Sequence, residues 1–360
     1  MSTVRVFQLD TLRGVASFLV VVHHALLAVS PDADLANVWL PLGWLPIGRP
    51  CVILFFVLSG FVLTLSLGDQ SFPAFAARRF VRLYIPFAAS ILFALLLYSV
   101  VDHSAVVGQS SWFNDAWSNN ITLRMLSGHF LMLGRWSDAS LNNVVWSLCY
   151  EMRISFLLPL MVFVSRWRYA PWGFLLLAAL TYCLSPPHPY YSYGFVSGAL
   201  VTAYFIPMFA AGMYLALRKP SLPVSQLAWA PAVLLMCVPN DMVVCAGAVL
   251  TVYLALQSSW LNQTLLQWLG RVSFSLYLVH LPIIIAGIHV AHGILPDWAS
   301  VLIAIPCSLL FAEVFYRYVE YPAMRLSRQL SWLEISSAMG NRAARKELVG
   351  KHPVAKTEFK

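Results

Sequence analysis

Charged residues are scarce in this chain. Lys, Arg, Asp and Glu make up only 11% of its 360 residues, whereas hydrophobic residues make up 60%. A soluble globular domain carries about 25% charged residues. The shortage therefore excludes an ordinary soluble domain and predicts an all-α integral membrane protein, a polytopic bundle of transmembrane helices.

The chain also lacks the motifs of several other classes of protein. Its six cysteines lie in apolar surroundings without a Cys-x-x-Cys pair, so we interpret them as small hydrophobic residues and expect neither a disulfide framework nor a metal site. No nucleotide-binding loop and no nucleic-acid-binding motif occurs. We therefore expect no bound cofactor and no nucleic-acid partner, and we interpret the net charge of +8 as a consequence of membrane topology.

What the chain does contain is long apolar runs. They predict about ten spans of about 20 residues each. The runs fall near residues 10–30, 50–67, 83–101, 144–165, 171–184, 198–217, 226–239, 243–257, 272–290 and 299–318. The turn Pro239-Asn240-Asp241 separates the short seventh and eighth runs. A further short apolar segment, residues 121–133, is predicted to be interfacial or re-entrant.

The basic residues predict the orientation of the bundle. If the N-terminus is cytoplasmic, most Lys and Arg fall inside, as the positive-inside rule requires, and an even number of spans leaves both termini in the cytoplasm. We expect a multi-pass protein of a cell membrane, specifically a bacterial cytoplasmic membrane. Residues 1–330 are predicted to form the membrane domain, and residues 331–360 a basic, disordered cytoplasmic tail.

Ionisable residues interrupt the first apolar run. Asp10, Arg13, His23 and His24 lie where each such side chain costs about 2.5 kcal/mol or more, which also favours a retained helix over a signal peptide. Eleven steps of about 100° return Arg13 and His24 to one helix face, with His24 about 16 Å deeper and Asp10 near the same stripe. This pattern predicts a lined path for a polar substrate, used for chemistry or transport. His23 faces elsewhere and is predicted either to pack or to support the site indirectly.

Six motifs follow one another between residue 9 and about residue 325. They are Leu9-Asp10-x-Leu12-Arg13-Gly14-Val15-Ala16 with Val20-Val21-Val22-x-His24; Phe55-Phe56-Val57-Leu58-Ser59-Gly60-Phe61; Arg78-Arg79-Phe80-Val81-Arg82-Leu83-Tyr84-Ile85-Pro86; Trp146-Ser147-Leu148-x-x-Glu151; Leu269-Gly270-Arg271-x-Ser273-Phe274-Ser275-Leu276-Tyr277-Leu278-x-His280; and Val319-Glu320-x-Pro322. Together they resemble the motifs of the membrane acyltransferase 3 family, whose best-known members O-acetylate cell-surface polysaccharides.

The resemblance implies an acyl-coenzyme A donor on the cytoplasmic side and an acceptor hydroxyl on the outer side. It implies that the histidine separated from the first-helix arginine by ten intervening residues, here His24, is catalytic. The Arg-x-x-Arg that opens the third helix, here Arg79 and Arg82, is associated with the donor, and we add Arg78 beside it. One departure stands out: where members often have an aromatic pair after the fourth motif, this chain has Arg153-Ile154-Ser155.

The chemistry of the first-helix residues suggests a role for each. Imidazole titrates near neutrality, so His24 suits a general base that takes the proton from the acceptor hydroxyl; a covalent acyl-histidine is the rival mechanism. Asp10 and Arg13 are predicted to form an ion pair that shapes the donor path. The alternative for Arg13 is a topological anchor.

Two further polar residues need partners inside the membrane. Glu151 is predicted either to orient His24 or the acceptor, or to form an ion pair with another helix; Arg153 is excluded because residues i and i+2 of a helix face apart. For His280 there are two alternatives: it acts as a second proton relay, or it forms a structural hydrogen bond.

The sequence thus predicts a membrane O-acyltransferase that moves an acyl group, acetyl above all, from acyl-coenzyme A to a surface polysaccharide or lipid-linked sugar. Two alternatives remain. One is acylation of a small-molecule glycoside, since the acceptor cleft cannot be read from sequence. The other is a transporter or a carrier of the acyl donor, because intramembrane His, Arg and Glu also mark transport pathways.

Overall fold

A computed structural model describes residues 6–29, 48–68, 70–102, 104–117, 121–135, 141–185, 194–220 and 223–330. Within these ranges the chain is helical and holds no β-strand. The helices are α1 (Phe7–Ala28), α2 (Gly48–Leu67), α3 (Phe72–Val100), α4 (Ser111–Asp115), α5 (Leu123–Phe130), α6 (Trp146–Val164), α7 (Ala170–Leu184), α8 (Phe195–Arg218), α9 (Trp229–Met236), α10 (Asp241–Leu256), α11 (Thr264–Ala291), α12 (Asp297–Phe315) and α13 (Tyr321–Gln329).

Within the described ranges, seven helical segments are long and apolar enough to cross a membrane: α1, α2, α3, α6, α8, α11 and the continuous segment from α12 to α13. Three shorter apolar helices, α7, α9 and α10, occupy the positions of the fifth, seventh and eighth predicted spans. Large apolar side chains such as Leu92, Leu96 and Leu310 are exposed on the outside of the bundle, where lipid would cover them. The chain is therefore an all-helical, multi-pass membrane protein.

Helices α1 and α11 lie side by side and run in parallel. Ser17 Oγ of α1 donates a hydrogen bond of 2.9 Å to the Ser273 carbonyl of α11. One turn earlier, a Cβ atom on Gly14 would lie 2.5 Å from the Gly270 backbone nitrogen, so only glycine allows the backbones this close. The pairing fixes which residues of the two helices stand at the same level.

Helix α2 packs against α8 and α10, and a buried ion pair joins the three. Arg49 of α2 donates hydrogen bonds to the carboxylate of Asp241, and Tyr204 Oη of α8 donates another of 2.7 Å. Asp241 is the first residue of α10, and the Asn240 side chain caps this helix by accepting from the Met242 backbone nitrogen at 3.0 Å. The expected break at residues 239–241 is therefore a capped helix start.

The short apolar segment at residues 121–133 forms α5 and enters the bundle. The Phe130 carbonyl accepts a hydrogen bond of 2.9 Å from Tyr84 Oη, and the Leu133 carbonyl accepts one of 2.7 Å from Arg153 Nη2. Tyr84 and Arg153 lie in inner turns of α3 and α6. These contacts agree with the re-entrant alternative.

Two helices begin earlier than their apolar runs. Helix α3 begins at Phe72 although its apolar run begins near residue 83, and α11 begins at Thr264 although its run begins near 272. The early turns carry polar and basic residues, which hydropathy alone does not assign to a span but which a helix accommodates readily. The predicted basic tail, residues 331–360, lies outside the described residues.

Candidate active site

One face of α1 borders a cavity of about 1530 Å³. Asp10, Arg13 and Ser17 all line it, and their spacings of three and four residues place them on one side of the helix. Helices α2, α3, α6 and α11 supply the facing walls. Of the polar stripe predicted on the first helix, Asp10 and Arg13 therefore line an internal space, whereas His24 does not.

The wall of this cavity is strongly basic. Of the described residues, two carboxylates line it, Asp10 and Glu151, against seven basic side chains. The basic residues are Arg13, Arg78, Arg79, Arg82, Lys219, Arg271 and Arg328. Every predicted site residue except His24 is thus part of one wall, and the excess of positive charge suits an anionic ligand.

Arg79 and Glu151 form an ion pair across the cavity wall. The Arg79 guanidinium donates a hydrogen bond to the Glu151 carboxylate, and their side chains are only 10% and 15% exposed. Ser59 Oγ of α2 also donates to Glu151, at 2.8 Å. Of the two alternatives left open for Glu151, the contacts favour pairing with another helix over contact with His24.

The departure at Arg153-Ile154-Ser155 has a structural explanation. Ser155 Oγ accepts a hydrogen bond of 3.1 Å from Arg79 Nε, so the serine helps to hold the arginine of the ion pair. Arg153 points away from the cavity toward the carbonyls that follow α5, as the i and i+2 argument requires. Ser155 therefore connects α6 to α3, and Arg153 connects α6 to the segment that follows α5.

Tyr277 closes the end of the cavity on α11. Its Oη lies 2.8 Å from Ser147 Oγ and donates a hydrogen bond of 2.8 Å to the Val144 carbonyl. Phe55 packs edge-on against the Tyr277 ring, with 5.7 Å between centroids. Phe55, Ser147 and Tyr277 all belong to the cavity wall.

His24 lies beyond this closed end, paired with His280. It lies seven positions beyond Ser17, which corresponds to about 10 Å along α1. His24 Nδ1 and His280 Nε2 are 3.0 Å apart, and the centroid of the Tyr277 ring is 6.0 Å from that of His280. Trp112 of α4 stacks on His24 almost in parallel, at 5.4 Å between centroids and 4° between planes.

His23 has a different environment from its neighbour. It is buried, and a Cβ atom on Gly48 would lie 2.5 Å from its Cδ2, so the ring packs directly on the first turn of α2. Of the two alternatives for His23, this contact favours packing.

Several residues of the site gave no functional signal in the sequence. Lys219 and Arg328 lie outside the six motifs, and Arg271 lies within the fifth motif without an assigned role, because sequence does not tell that three separate helices bring them to one cavity. Trp112 also lies outside the motifs, although its ring stacks on His24. Within the described ranges no three His, Cys, Asp or Glu side chains lie close enough together to hold a metal ion.

A family model described as an acyltransferase domain, acyltransferase 3, matches residues 6–239. The match includes all of the predicted site residues, and it ends before α11 and the paired histidine at position 280. No curated protein and no solved structure matches the chain.

Proposed function

Because the chain belongs to the acyltransferase 3 family, we propose that it is a membrane O-acyltransferase with His24 as its general base. The donor is an acyl-coenzyme A, acetyl-coenzyme A above all. The acceptor is a hydroxyl group of a surface polysaccharide or of a lipid-linked sugar on the outer face.

The single observation that carries this proposal is the basic cavity whose closed end lies beside the histidine pair. Coenzyme A carries several phosphate charges, and the planar guanidinium groups of Arg78 and Arg82 suit phosphate oxygens. Deeper in the cavity, Phe55 and Tyr277 offer a less polar wall to the acyl-bearing arm. The thioester would then pass Tyr277 to approach His24.

The chemistry follows from the position of His24. The ring nitrogen that faces away from His280 takes the proton of the acceptor hydroxyl while that oxygen attacks the thioester carbonyl. The new carbon–oxygen bond forms, the carbon–sulfur bond breaks, and the thiolate of coenzyme A leaves. His24 then returns the proton to the thiolate, so the histidine ends the cycle unchanged.

The predicted orientation of the bundle supports binding of the donor and the acceptor on opposite sides of the membrane. The basic residues at the cavity mouth, Lys219, Arg271 and Arg328, belong to the helix ends that the positive-inside rule assigns to the cytoplasm. His24 and Trp112 lie toward the other end of α1. The protein would thus carry an acyl group across the membrane without moving either whole substrate.

The first experiment compares wild-type protein with His24→Gln in lipid vesicles, using labelled acetyl-coenzyme A and a crude surface-glycan acceptor. We expect the wild type to transfer label to an alkali-labile ester. Removal of a general base should lower that rate by about 10²–10⁴-fold. The matched control is His292→Gln, because His292 is exposed at the end of α11 and far from the cavity wall.

Each outcome has a distinct meaning. Equal transfer by wild type and by folded His24→Gln would contradict the role of His24 and leave the transferase activity standing. Donor binding without transfer to any member of an acceptor panel, glycosides included, would favour the carrier alternative and contradict the proposal.

A further inference from the structure

Two histidine rings and one backbone carbonyl form a chain of hydrogen bonds at the level of His24. His24 Nδ1 lies 3.0 Å from His280 Nε2, and His280 Nδ1 lies 3.0 Å from the Leu276 carbonyl oxygen. His280 is fully buried, with 0% of its surface exposed. Both of its ring nitrogens are therefore engaged, one on each side.

The carbonyl sets the direction of every proton in this chain. A carbonyl oxygen only accepts, so His280 Nδ1 must carry a hydrogen. In a neutral ring the other nitrogen is then bare, so His280 Nε2 accepts and His24 Nδ1 donates. His24 Nε2 is left without a hydrogen.

We propose that His280 is a positioning residue that holds His24 in the tautomer whose Nε2 can act as a base. The inference rests on the proposed function of His24 and extends it, since His280 itself touches neither substrate. A bare Nε2 is the nitrogen that can take the proton of an acceptor hydroxyl. Without its partner, the His24 ring would be free to carry its hydrogen on Nε2 and to rotate.

The surroundings of the two rings favour the neutral form that this argument needs. Neither His24 nor His280 forms an ion pair with a carboxylate in the described part of the chain. A buried imidazolium without a counter-charge is costly. The other rings beside the pair, those of His23, Trp112 and Tyr277, carry no carboxylate.

The backbone explains why the two rings meet so accurately. Ser17 donates a hydrogen bond to the Ser273 carbonyl, and these two residues are 256 positions apart in the sequence. His24 and His280 are also 256 positions apart. Parallel α1 and α11, pressed together at Gly14 and Gly270, therefore carry both pairs in the same register. Trp112 fixes the plane of the His24 ring from the other side.

The arrangement also spreads the charge that forms during the reaction. When His24 Nε2 gains a proton, the ring becomes a cation whose Nδ1–H still points at His280 Nε2. The Leu276 carbonyl accepts from the far nitrogen of the second ring and so favours positive charge on the pair. A neutral histidine thus stands where other catalytic histidines have a carboxylate.

The test replaces His280 by Gln and by Leu in the full chain. Gln offers an amide oxygen near the position of Nε2 that can still accept from His24 Nδ1, whereas Leu fills similar space and accepts nothing. We expect His280→Leu to lower kcat by at least about 10-fold, and by no more than the roughly 10²–10⁴ that a general base contributes. The KM for acetyl-coenzyme A should stay near the wild-type value, and His280→Gln should recover most of kcat.

A second measurement does not depend on activity. The ¹⁵N chemical shift separates a protonated from a bare imidazole nitrogen, and the His24 signals among the nine histidines are identified by their loss in His24→Gln. We expect wild-type His24 to be protonated at Nδ1 and bare at Nε2. The His280→Leu variant should move a large share of the hydrogen to Nε2.

The outcomes separate this inference from the proposed function. Wild-type His24 with its hydrogen on Nε2, or folded His280→Leu with unchanged kcat, would overturn the inference even if His24→Gln is inactive. Conversely, active His24→Gln together with Nδ1-protonated His24 would reject the catalytic role while the role of His280 in setting the tautomer stands. A loss of folded protein in His280→Leu is controlled by expressing kcat per folded molecule and by the Gln variant.

Discussion

Arg79 and Arg82 stand three residues apart on α3, one helical turn, yet their surroundings differ. Arg79 is held by Glu151 and Ser155 and is 10% exposed. Arg82 is exposed and lines the cavity. The carboxylate that pairs with an arginine offsets part of its attraction for a phosphate, whereas an exposed arginine keeps its N–H groups available to the ligand. We therefore propose that Arg82 makes the main contact with the donor and that Arg79 shapes the cavity wall.

This division predicts different losses for the two alanine variants. Arg82→Ala should raise the Kd for acetyl-coenzyme A by about 10-fold or more, the effect of one charge-assisted hydrogen bond, with little change in stability. Arg79→Ala should destabilise the fold by about 3 kcal/mol, the low end for a broken buried ion pair, because Glu151 keeps its bond from Ser59. Donor titration and thermal unfolding in detergent measure the two effects separately.

Glu151→Gln supplies the control, because it removes the charge that Arg79→Ala leaves unpaired. The double variant should unfold at a higher temperature than Arg79→Ala alone, and Arg168→Ala, outside the cavity wall, should leave donor affinity unchanged. Equal donor affinity in wild type and Arg82→Ala would remove Arg82 from the donor site.

At the same scale, helix geometry predicted some of these positions and could not predict others. The 100° step placed Asp10 and Arg13 on one face, and both line the cavity. The partner of Glu151 lies 72 residues away on α3, and no spacing rule reaches across helices. Helical periodicity predicts the face of the helix on which a residue lies. The residues that contact that face depend on tertiary packing, which periodicity does not predict.

Among the elements, α1 and α11 depend on glycine where they cross. A Cβ atom on Gly270 would lie 2.4 Å from the Asp10 carbonyl oxygen, so even alanine must push the helices apart. The same motion would separate His24 from His280, whose 3.0 Å hydrogen bond depends on that register. Small residues at this contact therefore support the chemistry as well as the packing.

Gly270→Ala should accordingly lower both stability and transfer activity. We expect a loss of about 1–3 kcal/mol in the free energy of unfolding, as for overpacking in a core, and a fall in kcat beyond that expected from the folded fraction. Gly287→Ala on the same helix is the matched control, since its Cβ atom would meet only Ala304 Cβ at an ordinary 3.8 Å. If both variants behave alike, the α1–α11 contact does not set the site.

Span prediction succeeded where apolar runs are long and failed at their ends. Among the described residues, the apolar runs located all seven helical segments that are long enough to cross a membrane, because each must satisfy its backbone internally and present apolar side chains to lipid. Hydropathy placed the start of α3 near residue 83 although the helix begins at Phe72. The turns that carry Arg78, Arg79 and Arg82 are helical yet polar, and hydropathy cannot distinguish such turns from a loop.

For the whole molecule, the two ends of the bundle differ in chemistry. One end gathers Lys219, Arg271 and Arg328 around the cavity, from three different helices. The other holds the Arg49–Asp241 ion pair and the stacked Trp112 and His24. The distribution of basic residues along the sequence indicated a basic end of the bundle, since most of them fall at alternate loops, but it could not predict that this end contains a cavity.

That polarity predicts that the donor is used from one side only. In sealed inside-out vesicles, whose cytoplasmic face is outward, external acetyl-coenzyme A should be consumed; in sealed right-side-out vesicles it should not be, until the membrane is made permeable. The physical reason is that a phosphate-bearing coenzyme cannot cross the bilayer and that, in the orientation proposed from the positive-inside rule, the basic end of the cavity faces the cytoplasm. His24→Gln vesicles of both orientations give the background rate. Equal consumption by intact vesicles of either orientation would mean that the donor enters from both faces, and the cavity could then not be the donor site.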